Sequence, residues 1–171
     1  MIAAGVVSLI LWTGCTEKPS VAGCESCGVE CRVETVAETT RDHVSTPVDY
    51  ADVPPTNGDH NPCWAEWGVH DEEVPDEQWV HNLEHGGVVF LYRCPEGCDE
   101  DVASLTDWAD TLDPGRWVVS PYSLMTWSFA AVAWDHRLLL GCLDLDAFEG
   151  FYNDHMGRAP EDTIDDPAGC M

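Results

Sequence analysis

Five of the seven histidines fall early in the chain: His43, His60, His70, His81 and His85. The densest segment is His81-Asn82-Leu83-Glu84-His85. Neutral imidazole is the commonest protein ligand for zinc and copper. Four residues apart on a helix, His81 and His85 would share a face and could grip one ion. The expected chemistry is a transition-metal centre with His60, His81 and His85 as ligands. Glu84 would be a fourth ligand, or a partner orienting an imidazole. Copper is the first metal expected, because it outcompetes the other divalent ions at nitrogen sites; zinc is second. Met125 or Met156 could add a soft axial donor, although each reads more simply as core.

The same five residues fit the H-x-x-E-H pattern of the inverzincin metalloproteases. A second function is therefore a hydrolase in which Glu84 is general base to a metal-bound water. That motif needs a long helix, whereas Gly86-Gly87 and a β-branched run follow at once and stop any helix after His85. A third reading is a non-catalytic surface module that meets a partner through Trp64 and Trp67. The plainest alternative leaves the histidines in a satisfied polar network at a loop-to-strand junction, with Glu84 capping backbone N–H groups.

The elements that must position these residues follow from hydrophobic period. Residues 86–92 (GGVVFLY) form a continuous apolar run and read as a buried strand. Over 99–112, Val102, Leu105, Ala109 and Leu112 recur at helical spacing, opened by acids and closed by Pro114-Gly115. Residues 117–120, 129–134 and 138–142 read as strands, the last two joined by an Asp135-His136-Arg137 turn. Asp146 to Glu149 resembles a capping box; its helix sets Phe148, Phe151 and Tyr152 on one face and stops at Gly157. Upstream, 53–80 is rich in proline and glycine, yet Trp64, Trp67 and Trp79 suggest a loop packed down on the domain. A short edge strand is expected over 44–50, where Pro47 argues against a central position. The fold class is α+β: one small mixed or antiparallel sheet, two helices on one face, and a long ordered Pro/Trp-rich loop.

Residues 1–11 are apolar or small throughout, too short for a membrane span and fitting a signal-peptide core. Thr13-Gly14 before Cys15 looks like the lipobox of bacterial lipoproteins, although Trp12 stands where an aliphatic residue is usual and no Lys or Arg precedes the run. The expected organisation is a lipoprotein signal over 1–15 with lipidation at Cys15, a cysteine-bearing tether over 16–40, and a single domain over 41–171. Thr16 rather than Asp follows the cysteine, so by resemblance the address is the outer membrane. The domain would face the periplasm or exterior and be held through lipid. Subtracting Cys15 from nine cysteines leaves Cys24, Cys27, Cys31, Cys63, Cys94, Cys98, Cys142 and Cys170. In an exported chain an even number reads as disulfides, with the pairing open. Cys24, Cys27 and Cys31 could instead hold a metal, but no second Cys-x-x-Cys completes a tetrahedral zinc site. The formal net charge of −25 makes a nucleic-acid partner a poor fit, since phosphates would be repelled.

Several segments together carry a resemblance. Pro54-Pro55-Thr56-Asn57-Gly58-Asp59-His60, Trp64, Trp67-Gly68, Val80 to Val88 (VHNLEHGGV) and Tyr92 are similar to the bacterial family catalogued as domain of unknown function 3105. Ser120-Pro121-Tyr122 and Ala131-Val132-Ala133-Trp134 extend the likeness, which covers about residues 42–161. Asn57 replaces a serine, Asp59 a proline and His70 a tyrosine, while His60, His81, Glu84 and His85 stand in place. The resemblance implies an exported or membrane-tethered α+β domain and brings no settled activity.

Overall fold

A computed structural model describes residues 31–161 and 169–170. The signal and lipidation site at Cys15, Cys24, Cys27 and most of the expected tether lie outside the described residues. In chain order the elements are β1 (Cys31–Thr35), β2 (Gly68–Val69), α1 (Asp76–Glu84), β3 (Val88–Tyr92), α2 (Asp99–Ala109), β4 (Trp117–Pro121), β5 (Phe129–Ala133), β6 (His136–Leu140) and α3 (Leu145–His155).

The six strands form one mixed sheet in the order β1-β6-β5-β3-β4-β2. β3 runs parallel to β4, with α2 as the crossover between them, and β4 runs parallel to β2. On its other side β3 pairs antiparallel with β5, β5 with β6, and β6 with β1. The expected α+β class with one small sheet therefore holds, and the sheet is the mixed one of the two alternatives.

β3 shows why its sequence is unbroken in hydrophobicity. Val88 and Phe90 face one side, with Leu105 and Ala109 of α2 and Phe148, Phe151 and Tyr152 of α3. Val89 and Leu91 face the other, with Trp79, Val80 and Leu83 of α1, Tyr122 and Trp134. A strand covered on both faces has no polar face to present, so alternation disappears. The two helices expected on one face are α2 and α3, and a third, α1, covers the other face with the tryptophan-bearing loop.

Local boundaries differ from expectation in four places. No strand forms over 44–50; just ahead of it His43 makes an isolated parallel bridge with His60. The end of the expected tether, Cys31–Thr35, is instead an edge strand registered against β6. The β5–β6 connection is tighter than a three-residue turn. β6 begins at His136, and Asp135 takes φ 63°, the left-handed region that a short polar side chain tolerates. The Asp135 carboxylate there accepts a hydrogen bond from Asn57 Nδ2 at 2.6 Å, tying the upstream loop to the hairpin. The α3 cap is Asp144, whose Oδ1 accepts from Ala147 N at 3.0 Å, two residues before the expected Asp146.

Two disulfides join described cysteines. Cys63–Cys170 ties the loop ahead of Trp64 to the C-terminal end, across a sequence separation of 107. Cys94–Cys98 closes a short ring between β3 and α2. Cys31 and Cys142 are also disulfide-bonded.

Candidate metal centre

The site assembles at the amino end of β3, from three pieces of chain. The first is the last turn of α1. His81 and Glu84, three apart, lie on one face of that helix. The helix ends because Gly86 takes φ 80° as the residue after the cap. Gly86 N donates to Leu83 O and Gly87 N to Asn82 O, both at 2.9 Å, a Schellman closure. Gly87 must lack a side chain: a Cβ there would lie 2.5 Å from the Trp67 ring and 2.9 Å from Asn82 O. The double glycine thus halts the helix at the histidine and lets Trp67 cover the turn.

The second piece is the loop ending at His60. Gly58, at φ 126°, turns the chain so that the Gly58 carbonyl meets His60 Nδ1 at 2.8 Å. A carbonyl can only accept, so Nδ1 carries the hydrogen and Nε2 is left to point inward. His81 is held in the same way, its Nδ1 donating to Asn61 O at 2.7 Å. Main-chain carbonyls that fix the tautomer and aim the second nitrogen are the usual support of a metal-ligating imidazole. The third piece is the 42–44 segment. Val44 N donates to His60 O at 2.8 Å and His60 N to Asp42 O at 3.1 Å, which sets His43 beside His60.

His43, His60, His81 and Glu84 each present a ligand atom, and these atoms all lie within 4.8 Å of one another. The rings of His43, His60 and His81 are mutual neighbours, with centroids 4.7–5.0 Å apart. His60 and His81 are wholly buried, Glu84 almost so, and His43 is on the surface. Trp64 lies against His81 and Trp134 sets its face edge-on to His60, so indoles wall the group.

Of the residues expected to bind an ion, the fold brings His60, His81 and Glu84 together. It sets His85 at the cap of α1, where His85 Nε2 lies 2.9 Å from His81 Nε2 and the two rings stack. His43 completes the converging group in its stead. The sequence signals for His43 were only its residue type and its place among the early histidines. His70 is elsewhere, its Nε2 donating to Glu66 O at 2.8 Å beside β2. Met125 packs in the core under α1, and Met156 packs against the α2–α3 core.

One contact defines the chemistry. His60 Nε2 and Glu84 Oε2 lie 2.9 Å apart, an ion-pair distance at an angle off that of an ideal hydrogen bond, and neither atom has a closer partner. A neutral His60 would set two buried lone pairs face to face. Such a pair requires a positive centre between or beside the two atoms, a proton or a metal cation. Without an ion, burial pulls the His60 imidazole down, but the Glu84 carboxylate and the Gly58 carbonyl outweigh it and hold the pKa above the ordinary value. Burial pushes Glu84 up, but His60, His81 and Arg41 hold it below the ordinary carboxylate range. His81 is pushed down to about 4, by burial first and then by His60 and the other neighbouring imidazoles. It is therefore neutral at ordinary pH, the form that ligates metal.

A mixed sheet with a cluster of three histidines and one carboxylate at one strand end, all buried but His43, defines a small α+β protein with a group that could hold a metal ion. A family model described as a protein of unknown function, DUF3105, matches residues 43–167, and the chain belongs to that family. No curated protein and no solved structure gave a significant match.

Proposed function

We propose that the protein binds a transition metal in the cell envelope through His43, His60, His81 and Glu84. The observation that carries the reading is the convergence of four ligand atoms within 4.8 Å, with the buried His60 Nε2 and Glu84 Oε2 2.9 Å apart. A divalent ion would supply a positive centre at that pair, on the side of Glu84 away from Arg41 Nη1, which lies 3.6 Å from Oε1, and would displace the His85 contact at His81 Nε2. Three imidazoles and a carboxylate are borderline-to-hard donors, which select a divalent ion over Cu(I). Copper(II) is first by affinity order, and zinc second by the tetrahedral fit of nitrogen and oxygen donors. The exposed His43 would be the capture ligand, because the other three are buried.

Binding without catalysis is favoured over hydrolysis because Glu84 stands among the ligands. A carboxylate bound to the ion is not free to take a proton from metal-bound water. The surface-module reading is weakened, because Trp64 and Trp67 are half-buried, Trp64 packing on His81 and His85 and Trp67 on Gly87. Export and lipidation at Cys15 rest on the apolar run that ends in Thr13-Gly14-Cys15. Loss of labelled-palmitate incorporation in Cys15→Ser would be the expected result.

The test is metal content. The oxidised full chain, dialysed after exposure to Cu(II) or Zn(II), should retain one ion per chain by mass spectrometry. The His60→Ala/His81→Ala variant should retain none above a buffer control. Equal retention by this variant would remove the site, as would failure of the wild type to retain either metal.

A further inference from the structure

A cavity of about 640 Å³ lies at the opposite end of β3 from the histidines. Five strand residues at about 3.3 Å each separate the two regions, so they do not share groups. Cys94 and Cys98 both line this cavity, with Tyr92, Val102 and Tyr122 among the walls. It opens beyond the carboxyl ends of the parallel strands β3 and β4, the position where open sheets with parallel strands bind ligands.

Two features separate this disulfide from Cys63–Cys170. First, it spans a sequence separation of 4 instead of 107, so its opening frees very little chain. Second, its flanking elements are anchored without it: Phe90 of β3 and Leu105 and Ala109 of α2 are fully buried in one core. The ring can therefore open and close while the fold persists. Both cysteines are partly exposed, and thiol–disulfide exchange requires access.

We propose that Cys94–Cys98 is a thiol–disulfide exchange site that takes electrons from an apolar, dithiol-bearing polypeptide segment docked in this cavity. A thiolate of the partner attacks Cys94 Sγ, forms a mixed disulfide and releases Cys98 as thiolate. Cys98 is assigned as the leaving group because it is the N-cap of α2, where the helix dipole favours a thiolate against the opposing acids Asp99, Glu100 and Asp101 of the first turn. The partner's second thiolate then attacks its own sulfur in the mixed disulfide and releases Cys94. The partner leaves with a disulfide, this chain keeps two thiols, and two electrons and two protons have moved. Tyr92, Val102 and Tyr122 suit apolar side chains. Glu73 and Asp99 against the single cation Arg93 favour a segment that is not itself acidic.

The oxidised full chain would be equilibrated with graded glutathione mixtures, acid-quenched, alkylated and mapped by mass spectrometry. Cys94 and Cys98 should become labelled while Cys63 and Cys170 stay bonded and the far-ultraviolet circular dichroism is unchanged. Labelling that comes only after Cys63 and Cys170, or only with loss of that dichroism, overturns the assignment. The oxidised chain is next mixed with a synthetic peptide carrying two cysteines among leucines and one lysine. Disulfide should form in the peptide at least tenfold faster than with Cys94→Ser/Cys98→Ser; an equal rate with that variant also overturns it.

Discussion

Replacing Glu84 with glutamine distinguishes a metal centre from a proton-sharing structural pair. Glutamine keeps the shape of the buried side chain but can turn an N–H toward His60 Nε2, which in the native chain lies 2.9 Å from Glu84 Oε2. Above the raised pKa of His60, where the stripped site holds no shared proton, Glu84→Gln replaces an acceptor-to-acceptor contact by a donor-to-acceptor one. Its stability should then stay within about 1 kcal/mol of the wild type, the net worth of one ordinary hydrogen bond. The ion-linked part behaves differently. At a free metal concentration of about 100 times Kd, wild-type stability should rise by about 2.7 kcal/mol. For a chain of this size that is an increase in Tm between about 5 and about 11 °C. The variant, with one of four donors uncharged, should show a small fraction of that rise. Differential scanning calorimetry of both proteins, after chelation and after Cu(II) or Zn(II) addition, gives all four values. If His60 and Glu84 instead form an obligatory ion pair, removing one partner costs about 3–5 kcal/mol with or without metal. A Glu84→Gln protein destabilised by that amount, beside a wild type indifferent to either ion, would refute the reasoning.

Three further outcomes follow from the packing and charges. Gly87→Ala should cost about 1–3 kcal/mol in urea unfolding, because the new methyl meets the Trp67 ring at 2.5 Å; an unchanged midpoint would contradict that close approach. Replacing Cys63 and Cys170 by serine should lower stability by about 2–5 kcal/mol, since the bond closes a loop across a separation of 107, and equal midpoints would argue against a structural role. His155 is pushed down to about 4, by burial first and then by the stacked His136 ring. Its folded pKa lies below the unfolded value of 6.5, so this site leaves stability whole above 6.5 and erodes it as the pH falls toward 4. Because His155 is partly exposed, the loss is at most about 3 kcal/mol. His155→Gln should flatten that slope in pH-dependent melts, and an unaltered slope would assign the acid sensitivity elsewhere.

How much could be read from residues alone differs by element for identifiable reasons. β3 to β6, α2 and α3 each carry a local pattern of period two, period 3.6 or unbroken apolarity, and local patterns survive without knowledge of neighbours. β1 does not: Cys31-Arg32-Val33-Glu34-Thr35 is half exposed and polar, and becomes a strand only because β6 offers it an edge. α1 was hidden among prolines; its apolar residues Trp79, Val80 and Leu83 span barely more than one turn, too few to establish a period.

The candidate site divides along the same line. Sequence determined that His81, Glu84 and His85 belong to one segment, that Gly86-Gly87 must halt it, and that His60 follows a tight glycine turn. Those are properties of adjacent residues, set by backbone sterics and hydrogen-bond reach. Only the tertiary structure decided that His43 joins the cluster and that His85 Nε2 meets His81 Nε2. The bridge between 42–44 and 60 is a pairing of distant backbone groups, and no periodicity encodes it. Helical spacing likewise allows both His81 and His85 to face one ion. The choice falls to the loops that supply the Gly58 and Asn61 carbonyls, which aim the Nε2 atoms of His60 and His81 inward.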